Sequence, residues 1–344
     1  MPSQLRAIKL VIPIAKTVDF KPGKRNVFFH ILTDCNLSCQ HCYINPEQHG
    51  TGSVPGDTIA KWLKLFMDEE KESNVIFLGG EPTMHKDLPE AIKTAKQLGY
   101  RSVTVDTNGF LFNNFLDKVT PADLDFLSFS LDGPTPDVND PIRGEGVFAT
   151  CTENIRKAVA KGFNVSLIYT VSRRNIDYLH RMPDLLVEWG VKRFFIQVIG
   201  IRGKLAQNGA DKWQLTPDEW LDKIPQVAAD AANKGITVIY PKVFLKQEET
   251  FECAGRVAEN YFIFPNGRVY QCPLCEDYPV NAYRIEDDRL IKNDGILEDN
   301  FFTLKIPEGC VISKLLQPDN LQYDTKGKPL YRISCCLLKQ ELKK

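Results

Sequence analysis

The sequence has almost no net charge: 43 Lys and Arg oppose 44 Asp and Glu, a formal −1 over 344 residues. Attraction to a nucleic-acid backbone or an anionic membrane draws on surplus Lys and Arg. No nucleic-acid partner is therefore expected. Long apolar runs are also missing. Stretches such as Phe194 to Ile201 fall far short of the roughly 18 to 20 residues that span a bilayer. Near the N-terminus Arg6, Lys9, Lys16 and Asp19 interrupt the apolar residues, which leaves Leu10 to Ala15 too short for the core of a signal peptide. A cytoplasmic protein without a membrane span is the expectation. There is no low-complexity tract, and 43% apolar with 25% charged residues is an ordinary globular balance that excludes a disordered chain.

The ten cysteines are too few for a small disulfide scaffold and too clustered for scattered core thiols. Cys35, Cys39 and Cys42 lie together, Cys151 stands alone, and Cys253, Cys272, Cys275, Cys310, Cys335 and Cys336 follow beyond position 250. In a reducing cytoplasm such groups bind metal or do chemistry. Cys151 reads as a core thiol on a helix.

From Arg25 to about Ile201 short β-rich runs alternate with longer helical ones. The runs are Val27 to Leu32, Val75 to Leu78, Ser102 to Val105, Phe126 to Leu131, Val165 to Val171 and Phe194 to Ile199. Between the first two, Ile59, Leu63, Phe66 and Met67 share one helical face in a segment that Asp57 is placed to cap. Six consecutive βα units predict an α/β fold, an open, partial (β/α)6 barrel of parallel strands, since a closed barrel needs eight. Ligands gather at the carboxyl ends of such strands. After Gly200 the pattern changes to a helix over Pro217 to Lys234, a strand over Thr237 to Tyr240, and a hairpin of Tyr261 to Phe264 with Arg268 to Gln271 around Pro265, Asn266 and Gly267. Beyond Asn281 little periodicity is visible. The expected division is an N-terminal segment 1–24, a barrel 25–205 and a small α+β extension 206–344, with linker-like residues such as Gly203, Gln207 and Gly209 at the boundary.

Thr33-Asp34-Cys35-Asn36-Leu37-Ser38-Cys39-Gln40-His41-Cys42-Tyr43 directly follows the first strand. Three thiols in one loop can hold three corners of an iron–sulfur cluster and leave a fourth iron open to a ligand. A zinc site with His41 as fourth ligand is the alternative. Cys-x3-Cys-x2-Cys, with His41 at the aromatic position before the last Cys, resembles the signature of the radical S-adenosylmethionine (SAM) superfamily, and the likeness extends over about Asn26 to Ile199. The resemblance implies a four-iron four-sulfur (4Fe-4S) cluster on Cys35, Cys39 and Cys42 whose open iron is chelated by SAM. It also implies reductive cleavage of SAM to a 5′-deoxyadenosyl radical that takes a hydrogen atom from substrate.

Leu78-Gly79-Gly80-Glu81-Pro82 ends the second strand, with glycines that admit a close ligand and a carboxylate acceptor. The resemblance implies that Gly79, Gly80 and Glu81 bind the methionine amino group of SAM. Asp106-Thr107-Asn108-Gly109 and Ser130-Leu131-Asp132-Gly133 end the third and fourth strands. They read either as turn formers or, by resemblance, as SAM contacts through Asn108, Ser130 and Asp132. Arg143 resembles an arginine that pairs with the SAM carboxylate, and Tyr43 joins the implied cofactor contacts. Thr170, Ser172 and Arg173 are further candidates at the end of the fifth strand.

Cys253 precedes Gly267 by 13 intervening residues, and Gly267 precedes Cys272 by four. This resembles the opening of the auxiliary-cluster extensions called SPASM and Twitch, although the cysteine run that completes SPASM is absent. The implied second 4Fe-4S cluster takes Cys253, Cys272, Cys310 and Cys335, with Cys336 and Cys275 next in order. A zinc ribbon around Cys272 and Cys275 is the alternative. The reading is a radical SAM oxidoreductase that oxidises or cross-links a peptide or protein side chain, or else modifies a small molecule such as an aminosugar, tetrapyrrole or lipid precursor. A non-enzymatic zinc-binding protein is the reading from another class. A low-potential electron donor, flavodoxin or ferredoxin, is the implied partner. The roughly 24 residues before the first strand are too few for a fused leader-peptide-binding domain, so a separate protein is expected to supply any such recognition.

Overall fold

The computed structural model describes residues 23–208, 213–249, 253–257, 259–317 and 320–344. Apart from its last two residues, the segment read as 1–24 lies outside them, as does Gly209 of the expected linker. The six predicted runs form β1 (Lys24–His30), β2 (Glu72–Leu78), β3 (Ser102–Thr107), β4 (Phe126–Ser130), β5 (Val165–Val171) and β6 (Arg193–Val198), parallel neighbours in chain order. Strand alternation turns Val27, Phe29, Val75 and Phe77 into the main core with Ile59, Leu63 and Phe66 of the helix Gly56–Phe66. Asn26, Phe28, Asn74 and Ile76 face the other way and line a cavity. That helix begins directly after Pro55, which occupies the cap position without a side-chain hydrogen bond. Asp57 is thus not the cap, as the sequence suggested; it lies in the first turn, where a carboxylate still faces the positive end of the helix.

The sheet does not stop at six strands. After the helix Pro217–Asn233, β7 (Thr237–Pro241) pairs in parallel with β6. A short β8 (Phe244–Leu245) follows, then β9 (Glu259–Ile263), which pairs in parallel with β1 from the opposite side. β9 continues into β10 (Arg268–Tyr270) through the expected hairpin, whose Gly267 has φ +79°. β11 (Tyr283–Glu286) and β12 (Arg289–Lys292) extend that side, and β13 (Arg332–Ile333) pairs with β8. β14 (Lys339–Leu342) pairs antiparallel with β7. The result is one twelve-stranded sheet that runs without a break across the boundary drawn near residue 205.

The segment beyond Asn281 is therefore more regular than its sequence suggested. Its β11–β12 turn uses Asp287 and Asp288 at φ 48° and 57°, the positive values a two-residue hairpin turn demands, without the glycine that usually announces one. Among the described residues no helix is long and apolar enough to cross a membrane.

Candidate functional site

A cavity of about 310 Å³ opens at the carboxyl ends of β1 to β6 and is lined by Cys35, Cys39, Cys42, Glu81, Ser130 and Arg143 among others. All three predicted thiols therefore face one space. Cys35 is the most accessible of them. Recessed in the cavity, its thiol is pushed up to about 11, first by burial and then by the charges of Glu81, Cys39 and Cys42. Cys39 is raised chiefly by burial as well.

Gly79 and Gly80 approach the cysteine loop itself, where the sequence reading had them admit a ligand. A Cβ on Gly80 would lie 2.2 Å from the Asp34 carbonyl oxygen, and one on Gly79 2.6 Å from that of Leu32. The two loops are stitched by Gly80 N–H to Leu32 O and Glu81 N–H to Asp34 O, both 3.0 Å. The Glu81 side chain accepts from Thr83 N–H at 3.0 Å, Thr83 Oγ1 at 2.6 Å, Thr107 Oγ1 at 2.7 Å and Asn108 N–H at 2.7 Å. Burial raises its carboxyl against the pull of these four donors. Asn108 donates to Asn36 Oδ1 at 2.9 Å and to Cys35 Sγ at 3.7 Å, so it braces the thiol loop.

Ser130 and Thr170 line the cavity. Asp132 is fully buried behind it. Its Oδ2 lies 2.6 Å from His41 Nε2 and 2.7 Å from Arg143 Nε, and its Oδ1 accepts from Thr170 N–H at 2.8 Å. The sequence placed Asp132 and Arg143 separately against a ligand; the structure joins them to each other, with Arg143 still lining the cavity. Tyr43 donates to or accepts from His30 Nε2 at 2.7 Å, and the Arg202 guanidinium sits 4.7 Å over its ring. Ser172 and Arg173 do not reach the site: Ser172 is buried against Asn175, and Arg173 is exposed beside Glu219. Cys151 is a fully buried core thiol, as expected.

Sequence reasoning missed Arg202 and Glu276, an ion pair at 3.1 Å that lines the cavity. Arg202 follows β6 and was not singled out, yet its place at a strand's carboxyl end was the available signal. Glu276 directly follows Cys275. Through Arg202 Nη1 to Pro273 O (2.5 Å), His49 Nε2 to Glu276 O (3.1 Å) and Gly203 N–H to Asp277 (2.9 Å), the segment after Cys272 rests on the loop after β6 and on the continuation of the first thiol loop.

Cys253, Cys272, Cys310 and Cys335, from four separate segments, line a second, small cavity with Phe301 and Phe302. Cys275 and Cys336 are close by but do not line it; Cys272 hydrogen bonds with Cys275 and Cys335 with Cys336. Hydrogen bonds from Cys336 and from the backbone N–H of Leu337 lower the Cys335 thiol, whereas burial raises Cys253 and Cys310. Among the described residues no three His, Cys, Asp or Glu side chains converge on a single-ion position. The His41 ring is held on Asp132 at 2.6 Å.

Residues 30–186 match the family model of the radical SAM superfamily. The chain carries a radical SAM domain. The superfamily is one of enzymes, and it implies a 4Fe-4S cluster and SAM. A probable GTP 3′,8-cyclase of Saccharolobus islandicus is 31% identical over 194 residues, 55% of this chain and 62% of its own length. An AdoMet-dependent heme synthase of Oleidesulfovibrio alaskensis is 30% identical over 196 residues, 56% of this chain and 50% of its own. The chain thus spans between half and two thirds of these curated relatives. In fold it resembles Streptococcus suis SuiB bound to S-adenosylmethionine, with TM-score 0.57 and 16% identity over 74% of this chain and 61% of that one. It also resembles anSMEcpe with bound AdoMet and the Kp18Cys peptide, with TM-score 0.60 and 13% identity over 92% and 94%.

The residues of the radical SAM domain fit the implied cofactors. Three thiols share one cavity, where Cys39 and Cys42 raise the Cys35 thiol, a repulsion that cationic iron relieves. The Asn36 side-chain amide nitrogen beside Cys35 is buried with no hydrogen-bond partner among the described residues. A polar ligand at the thiol loop would supply one.

Proposed function

We propose that the protein is a radical SAM oxidoreductase with two 4Fe-4S clusters, one on Cys35, Cys39 and Cys42 and an auxiliary one on Cys253, Cys272, Cys310 and Cys335. The observation that carries the second is the convergence of those four thiols on one cavity, where four thiolates match the ligand count of a closed cluster. When bound, the first cluster and SAM supply a 5′-deoxyadenosyl radical that takes a hydrogen atom from substrate, and the auxiliary cluster supplies a one-electron acceptor. The chain's own residues set the geometry. Gly79 and Gly80 lock the second strand's end onto the thiol loop, Glu81 and Asn108 hold that loop to the third, and Asp132 fixes His41 and Arg143. Ser130, Tyr43 and Arg143 border the space assigned to SAM.

A peptide or protein side chain is the first substrate reading. It is supported by the peptide-bound state of anSMEcpe, whose fold aligns with 92% of this chain. A small molecule is the second, supported by the names of the sequence relatives, a GTP cyclase and a heme synthase. A flavodoxin or ferredoxin is the proposed electron donor.

The test is iron and sulfide analysis with SAM turnover after anaerobic reconstitution. Wild type should hold about eight irons, and the triple Cys35, Cys39, Cys42→Ala variant about four with no 5′-deoxyadenosine formed. Unchanged 5′-deoxyadenosine in that variant overturns the first site. A colourless triple variant holding zinc overturns the second.

A further inference from the structure

A third cavity of about 700 Å³ adjoins the first along the same strands. Its walls carry Asn26, Asn74, Thr104, Ser128 and Ser166, where a (β/α) barrel usually packs branched apolar side chains. The two cavities share Phe28 of β1, Asp106 of β3, Ile168 of β5 and Gln197 of β6. These four side chains form the floor of the first cavity.

Asp106 differs from the other carboxylates around it. Glu81 already accepts four hydrogen bonds, Asp132 is held by Arg143 and His41, and Glu276 pairs with Arg202. Asp106 accepts a hydrogen bond from Ser128 and feels the charge of Lys339. A carboxylate has about four acceptor positions, and Asp106 borders both cavities. Burial, against the Ser128 bond and the charge of Lys339 and with that of Glu81, pushes the carboxyl up to about 7. Gln197 keeps an exposed side chain at the same level, while Phe28 and Ile168 offer apolar surface.

We propose that Asp106 and Gln197 are the substrate-selecting floor of this site and hold a substrate by an ammonium or hydroxyl donor, its aliphatic carbon lying against Phe28 and Ile168. The proposal rests on the radical SAM reading, because the thiol loop decides which end of the cavity faces the reaction. It names the substrate class: a molecule or side chain with an amine or alcohol close to the carbon that loses hydrogen.

The probes are perdeuterated 2-aminoethanol and, as an anion without such a donor, perdeuterated propionate. Reconstituted, reduced full-length protein is given SAM and either probe, and deuterium in 5′-deoxyadenosine is read by mass spectrometry. Transfer is expected from 2-aminoethanol and not from propionate. It should fall about tenfold or more in Asp106→Asn, the scale of one lost hydrogen bond to a charged group, with SAM affinity by equilibrium dialysis within about twofold of wild type. Equal transfer in the variant, or from both probes, overturns the floor. A wild-type protein that makes no 5′-deoxyadenosine in any sample overturns the radical SAM reading instead. The floor is then decided on the cofactor-free chain by carbodiimide coupling of glycinamide and peptide mapping. Coupling at Asp106 upholds an accessible acceptor there, and none overturns it.

Discussion

Replacing Asp132 by Asn should unbalance the most deeply buried charge group behind the cavity. Asp132 is 0% and Arg143 7% exposed, with 2.7 Å between Oδ2 and Nε. Burial alone raises the Asp132 carboxyl, yet the Arg143 charge and then His41 more than offset it and hold it at about 2, against an ordinary 3.8. That difference corresponds to about 2 to 3 kcal/mol of stability. Because the folded value is depressed, the contribution is present above pH 4 and is lost as pH falls from about 4 through about 2. Asparagine keeps the size and the acceptor for Thr170 but leaves the Arg143 charge buried and unpaired, which costs about 3 to 5 kcal/mol. Urea unfolding of wild type, Asp132→Asn, Arg143→Met and the double variant at pH 7 should give a coupling energy of about 2 kcal/mol or more between the two sites. The Asp132→Asn penalty should shrink toward pH 2. Strict additivity, together with a penalty equal at pH 7 and pH 2, would refute the reasoning. His41 lies between Cys39 and Cys42, so the same variant should also lower iron uptake at the first site while the C-terminal site fills.

Other perturbations have outcomes set by the same geometry. Gly80→Ala drives a Cβ to 2.2 Å from backbone, and thermal unfolding should show a loss of at least about 1 to 3 kcal/mol, the usual cost of overpacking, with poor cluster uptake. Glu81→Gln presents an amide to donors that need an acceptor; urea unfolding should show a stability loss of about 1 to 3 kcal/mol, and equal stability removes Glu81 as the brace of the thiol loop. Glu298 is buried and accepts from the backbone N–H groups of Gln271, Cys272 and Ala282 at 2.5, 2.9 and 3.2 Å. Glu298→Ala should therefore lose the auxiliary irons and leave those on Cys35, Cys39 and Cys42, read by iron analysis with Mössbauer spectroscopy.

The strands β1 to β6 were legible because each is a compact apolar run whose alternate residues meet helices of clear periodicity. The thiol loop and the Gly-Gly-Glu-Pro turn were legible because their signal is local spacing. What stayed hidden depends on distant pairing. Nothing in Glu259–Ile263 announces that it lies beside Arg25–Phe29, more than 230 residues away. Asp132 and Arg143 each read as free to meet a ligand, since an ion pair across a turn and a helix leaves no mark in either segment. Arg202 carries no motif, and its partner Glu276 lies 74 residues away. Asp106 was visible beside Asn108, but its importance emerges only from two cavities meeting at it.

The placement of β9 and β14 bears on how the protein is made. Each flanks an outer strand of the βα series, β9 against β1 and β14 against β7. Until residues near 259 and 339 have left the ribosome, both margins of the nascent sheet carry unpaired N–H and C=O groups, the template on which strands of separate chains add. Pairings this far apart in sequence also form slowly, because the loop must close before the contact rewards it. Synthesis rate and chaperone supply should therefore change soluble yield. For the same reason, a fragment ending near residue 205 would keep every thiol of the first site and still expose two sticky margins.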